Sequence, residues 1–159
     1  MLTNLLSDTK PRQMSTDTEK LEQLIALNEG KCNKVYNDTL GIPTIGIGRN
    51  LRDKGLSDDE VAYLFDNDVK ECTAWMRTNL PWFDDLDVVR KAVLIDMRFN
   101  LGGSGLLGFK NTLELIKNKQ YTDAAVAMGQ SKWATQVGER AKRLQRMMAF
   151  GDWPPEVLQ

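Results

Sequence analysis

The sequence predicts an α+β fold: a small N-terminal lobe with one β-hairpin, joined by a long helix to a larger all-helical lobe. Three observations predict it. Apolar residues recur at helical spacing along most of the chain, and only residues 33–48 switch to a β-branched pattern of period two. Two capping boxes, Thr16/Glu19 and Ser57/Glu60, mark helix starts on either side of that switch. A GGSG run at 102–105 punctuates an otherwise helical second half.

The elements follow in order. Residues 1–14 are polar and contain Pro11, so residues 1–16 read as a loose arm preceding a single domain over 17–159. After the Thr16 box, Leu21, Leu24 and Ile25 fall on one face, predicting a helix from 17 to Glu29 that stops at Gly30. VYND, a turn at TLGIP and then TIGIG read as a hairpin. With Thr44 to Gly48 as one strand, Ile45 and Ile47 would face the core. Thr44, Gly46 and Gly48 would then leave the opposite face nearly bare.

The N-terminal lobe thus covers about 17–57. A connecting helix over 58–78 carries the stripe Val61, Leu64, Phe65, Val69, Cys72 and Met76 and breaks before Pro81. The helical lobe, about 79–153, is built around residues 88–101, which are apolar nearly all round and predict a buried central helix ended by GGSG. Shorter helices are predicted near 109–118 and 122–130, with a final basic one near 139–149.

Composition narrows the chemistry. The chain has 159 residues, 42% hydrophobic and 27% charged, with no apolar run long enough to cross a membrane. The first ten residues have neither a basic n-region nor an apolar h-region, so no secretory signal is expected. Cys32 and Cys72 sit in no paired motif and read as free thiols. The chain has no histidine, which removes histidine-based nucleophilic triads and the HExxH zinc site. Acid–base work must then fall to Asp, Glu, Lys or Tyr.

Net charge is −1 but uneven. Residues 1–106 carry 13 Lys/Arg against 17 Asp/Glu, whereas 107–151 carry 8 against 3. Two readings are open: a polyanionic partner for the basic region, or a solvated face rich in Lys and Arg.

Paired carboxylates are therefore the first place to look. Glu29 closes the first helix and Asp38 closes the first strand. A helix C-terminus is an unfavourable place for an anion, which suits a carboxylic acid that must keep its proton in order to donate it. A solvated Glu before a capping Gly is the alternative. The glycines at 46 and 48 suggest a phosphate loop, but no helix opens after them and no Lys-Ser/Thr follows. A floor beneath a bulky ligand fits better.

LIALNEGKCNKVYNDTLGIPTIGIGRN resembles the N-terminal signature of the T-even type of bacteriophage lysozymes, glycoside hydrolase family 24. In that family a helix ends in Glu-Gly, an Asp follows nine positions later, and a Thr lies six beyond it; Glu29, Asp38 and Thr44 match. Further blocks at 59–69, 87–113 and 131–153 extend the resemblance over roughly residues 20–153. It implies a lysozyme-like two-lobed fold and a muramidase of bacterial peptidoglycan. Glu29 would be the general acid, and Asp38 with Thr44 would activate a water on the opposite face of the sugar. Phe99, Asn100 and Thr112 match substrate-binding positions, and Arg140 matches an arginine that pairs with the acid. Core packing is the alternative for Phe99, and the expected role of Trp133 and Trp153.

No cofactor, metal or nucleic-acid partner is expected, and a monomer is the default; the lack of a secretory signal suggests accumulation in the host cytoplasm until a holin-like pore, as the resemblance implies, gives access to the wall. Three departures stand out. The run from Gly48 to Ser57 is about twenty residues shorter than in well-known members, implying a missing strand and short helix. Arg49 replaces a frequent His whose partner Asp matches Asp68, so an Arg49–Asp68 pair is expected. The chain is slightly acidic where some relatives are strongly basic. A non-catalytic wall-binding module and a lysozyme carried in the virion tail are the competing functions.

Overall fold

A computed structural model describes residues 16–158; the arm at 1–16, except Thr16, lies outside them. Seven α-helices and a three-stranded antiparallel sheet make up the described residues, an α+β fold. The chain divides into two compact units, Met1–Glu60 and Val61–Gln159.

In the first unit, α1 (Asp17–Glu29) starts at the predicted box. The Thr16 hydroxyl accepts from the Glu19 amide and the Glu19 carboxylate accepts from the Thr16 amide. Helix α1 ends at Gly30, and Leu21, Leu24 and Ile25, the face read as apolar, are exposed.

Strands β1 (Cys32–Asn37), β2 (Pro43–Gly46) and β3 (Arg49–Asn50) form the sheet in that order, so the predicted hairpin gains a short third strand. Tyr36 pairs with Thr44, and Thr44 in turn pairs with Asn50. The expected strand through Gly48 does not form. Gly46 and Gly48 both adopt positive φ, near 69° and 68°, and turn the chain between β2 and β3. Alternation stops there: Thr44 is buried, Ile45 half-buried and Ile47 exposed. Glycine is needed at these positions for backbone conformation rather than for a bare strand face.

Helix α2 (Asp58–Asn79) begins at the second box, where Ser57 and Glu60 exchange hydrogen bonds, and stops two residues before Pro81. Of its apolar stripe, Cys72 and Met76 are buried, while Val61, Leu64 and Phe65 are exposed.

The second unit holds the core. Helix α3 (Val88–Leu107) buries Val89, Val93, Leu94 and Met97, as its apolar sequence predicts. Its helical geometry breaks at Gly102 (φ 72°, ψ 171°) and resumes, so the GGSG run interrupts the helix instead of ending it. Helices α4 (Lys110–Lys117), α5 (Tyr121–Gly129) and α7 (Glu139–Phe150) lie where periodicity placed them. A six-residue helix, α6 (Lys132–Val137), was not foreseen; it starts on the Ser131 hydroxyl and stops at Gly138. Met76, Phe83, Leu94, Met97, Leu106, Ile116, Met128 and Met148 are fully buried in one cluster. Each such side chain contributes roughly 1.5–3 kcal/mol by burial. Cys32 and Cys72 are free thiols.

Candidate active site

The three residues proposed for chemistry all lie in the first unit. Glu29 is the last residue of α1, and its side chain is exposed. Its carboxylate rests on the β2–β3 turn: a Cβ placed on Gly48 would come within 3.0 Å of Glu29 Oε2. Gly48 thus meets two demands, a positive φ and the close approach of the acid. The glycine does clear space, but for the Glu29 side chain.

Asp38 and Thr44 are tied together through the backbone of Ile42. Asp38 Oδ1 accepts from the amides of Leu40 and Ile42, both at 2.8 Å. The carbonyl of Ile42 accepts from the Asp38 amide at 3.0 Å and from the Thr44 hydroxyl at 3.0 Å. One oxygen of Asp38 is therefore fixed by two amides, which leaves Oδ2 as its other acceptor. The only proton of the Thr44 hydroxyl points at Ile42, so toward any further group Thr44 can only accept. Thr44 is 4% exposed, one of two buried polar side chains among the described residues. Gly41, with φ 74°, closes the Asp38 turn through its amide on the Asp38 carbonyl. The TLGIP segment announces a turn; nothing in it announces that Ile42 joins the side chains of Asp38 and Thr44.

Arg49 does not pair with Asp68, the partner the resemblance implies. The structure gives its guanidinium to the Glu60 carboxylate and to the carbonyl of Gly55, 3.0 Å away. The reason is local: the 49–57 segment brings Gly55 and the first turn of α2 back beside β3. Glu60 is held below its ordinary carboxylate value, first by the Ser57 amide and then by the Ser57 hydroxyl and the charges of Arg49 and Lys54.

The second unit carries the residues matched to substrate binding. Phe99, at the end of the central helix, is 46% exposed and meets Phe65 edge-on at 5.9 Å, so it is not a core residue. Exposed Asn100 accepts from the indole N–H of Trp133 at 2.8 Å. Trp133 is buried, as expected, and packs edge-on against Phe109; Trp153 remains 38% exposed. Thr112 is the second buried polar side chain and lines a cavity of about 190 Å³ with Asn111, Gln130 and Ser131. Arg140, the arginine the resemblance pairs with Glu29, donates through Nε to Asp96 at 2.8 Å and through Nη2 to the Asp96 carbonyl at 3.3 Å. Asp96 was missed, and its position four residues before Asn100 on α3 offered no sequence signal.

Residues 26–148 match the model of the phage lysozyme family, a span that takes in Glu29, Asp38 and Thr44. Among curated proteins, the chain is similar to probable T4-type lysozyme 1 of Dictyostelium discoideum, 27% identical over 82% of this chain and 94% of the relative. It is also similar to probable T4-type lysozyme 2 of the same organism, 28% identical over 78% of this chain and 90% of the relative. The chain belongs to the phage lysozyme family and is a lysozyme-type glycoside hydrolase of peptidoglycan.

Proposed function

We propose that the chain cleaves the β-1,4 bond between N-acetylmuramic acid and N-acetylglucosamine with inversion, using Glu29, Asp38 and Thr44. The observation that carries this reading is the Ile42 junction between Asp38 and Thr44. A water held there would donate one O–H hydrogen bond to Thr44, which can only accept, and the other to Asp38 Oδ2. One of its two lone pairs would then be aimed at the anomeric carbon. Asp38 takes the water's proton as the water attacks, and Glu29 gives its proton to the departing glycosidic oxygen. An inverting pair needs its carboxyls roughly 6.5–9.5 Å apart, so that the water fits between sugar and base.

Phe99, Asn100 and Thr112 are the proposed contacts to the glycan. Phe99 offers an exposed ring, Thr112 a hydroxyl in a polar cavity, and Asn100 an amide oriented by Trp133. Arg140, held by Asp96, is the cation proposed to contact the substrate from the second unit.

The biological role we infer is host lysis by a monomeric endolysin that collects in the host cytoplasm and reaches the wall through a holin-like pore. No helix among the described residues is long and apolar enough to cross a membrane.

The test is turbidity loss and reducing-end release from cell-wall suspensions. Glu29→Gln should lower the rate at least about 10²-fold, the range expected for loss of a general acid. Equal rates for wild type and Glu29→Gln would reject the assignment and leave a wall-binding role.

A further inference from the structure

We propose that Arg49 and Glu60 are positioning residues for hydrolysis, an ion-paired clamp that holds the β2–β3 turn against both the acid and the water-binding hydroxyl. The inference rests on the roles given above to Glu29 and Thr44. Strand β3 has only two residues and forms the edge of the sheet, pairing Ile45 with Arg49 and Thr44 with Asn50. Two residue pairs are too few to fix an edge strand without help from side chains.

The help comes from one guanidinium. Arg49 Nη1 donates to the Gly55 carbonyl at 3.0 Å, and Nη2 donates to Glu60 Oε1. Glu60 Oε2 is itself fixed, accepting from the Ser57 amide at 2.8 Å and the Ser57 hydroxyl at 3.2 Å. The clamp therefore runs from β3 to the capped first turn of α2. It is backed by Leu51, whose amide donates to the Pro43 carbonyl at 2.8 Å, and by the Asn50–Asp53 turn.

Two catalytic elements depend on the clamped turn. Gly48, next to Arg49, is the surface on which the Glu29 carboxylate rests. Thr44, opposite Asn50, carries the hydroxyl aimed through Ile42. The side-chain hydrogen bonds of Arg49 and Glu60 go to each other, to Gly55 and to Ser57 rather than to Glu29 or Thr44, so the pair acts on them through backbone position. A displacement of about 1 Å at a reacting group can cost up to 10²-fold in rate, which is the scale on which such a clamp acts. Lysine at position 49 could reach one of the two acceptors but not hold both in a planar fork.

The experiment measures kcat and KM on soluble glycan-strand fragments, well below the melting temperature of each variant. The set is wild type, Arg49→Lys, Arg49→Ala, Glu60→Gln and the double variant Arg49→Ala/Glu60→Gln. Arg77→Ala, which breaks the Arg77–Asp84 pair in the other unit, serves as a stability control, and Glu29→Gln as a site control. We expect kcat to fall about tenfold in Arg49→Ala and less in Arg49→Lys, with KM within twofold of wild type. The double variant should be no slower than Arg49→Ala, because either change opens the same clamp. Arg49→Ala turning over like Arg77→Ala, or a double variant losing the product of the single losses, would overturn the proposal. If Glu29→Gln matched wild type, the site assignment itself would fail. If Glu29→Gln is dead and Arg49→Ala is normal, the clamp alone fails.

Discussion

At the scale of single residues, the site depends on a few side chains whose hydrogen bonds leave them one way to act. Thr44 is the clearest. Its hydroxyl spends its proton on Ile42 and is buried, so Thr44→Val would remove the acceptor and strand the Ile42 carbonyl with the Asp38 amide alone. The predicted result is a loss of about 10²-fold in turnover and about 1–2 kcal/mol of stability, while Thr44→Ser keeps most of both. Initial rates together with urea midpoints check this, and a Thr44→Val enzyme with normal kcat would remove Thr44 from the chemistry. Gly48→Ala is the matching test on the acid side. The substitution strains a backbone with φ near 68° and crowds Glu29 Oε2, so it should cost about 1 kcal/mol and depress kcat. Gly46 and Gly48 are legible as special in GIPTIGIGRN. Their reason is not, because alternation assumes extended backbone and cannot announce where φ changes sign. Glu29, Asp38 and Thr44 were legible as a spaced triplet. Ile42 acts through its peptide group and carries no signal in residue type.

At the scale of elements, caps and breaks were the most readable features, since the residues that satisfy orphan amides are few and their spacing is fixed. Both capping boxes form at the predicted positions. Gly102 was read as a stop but is a break within α3, held at φ 72° and ψ 171°, a region open to glycine almost alone. Gly102→Ala should therefore cost about 1–3 kcal/mol, measurable as a lowered thermal midpoint; an unchanged midpoint would show that the break tolerates other backbone geometry. Helix α6 escaped the sequence because six residues hold too few turns to show a period. Arg90 shows how one side chain closes another element. Its Nε and Nη2 donate to the carbonyls of Met148 and Ala149 at the end of α7, and its guanidinium stacks on Tyr121 at 3.8 Å.

The acid response of stability follows from these element ends. Burial pushes the Asp87 carboxyl up, but hydrogen bonds from the Arg90 side chain and amide, and the guanidinium charge, outweigh it and hold the carboxyl below 3.8. Glu60 is likewise held below 4.5, chiefly by the Ser57 amide. Both folded-state values are depressed. Their contribution is thus fully present above the ordinary carboxylate range and lost as pH falls through the lowered values. Urea midpoints should stay flat from pH 7 to about 5 and fall below about 4, and Asp87→Asn should flatten that fall. A wild-type midpoint that stayed flat to pH 3 would contradict the assignment.

At the scale of the whole molecule, charge and fold were legible together, while the arrangement of apolar faces was not. Residues 107–151 carry the positive charge of a nearly neutral chain, and α7 presents Arg140, Lys142, Arg143 and Arg146. If this region steers the enzyme to an anionic wall, lysis should slow as salt rises from 10 to 300 mM, while turnover of short neutral fragments should not. A flat response on whole walls would reduce the basic residues to a solvated face. Periodicity identified Leu21, Leu24 and Ile25 and the stripe on α2 as apolar faces, yet only Cys72 and Met76 on that stripe are buried. Amphipathic spacing reports that a face is apolar, and only tertiary packing decides whether it is covered.

The central claim, direct displacement by a water held between Asp38 and Thr44, is tested most directly by the products. Proton NMR of a digest of glycan strands, followed from the first minutes, reads both the sugar at the new end and its anomeric configuration. Direct displacement predicts new reducing N-acetylmuramic acid ends that appear first as the α anomer and then mutarotate, formed at least about 10²-fold more slowly by Glu29→Gln. Ends that appear first as the β anomer, or as 1,6-anhydro-muramic acid, would contradict it.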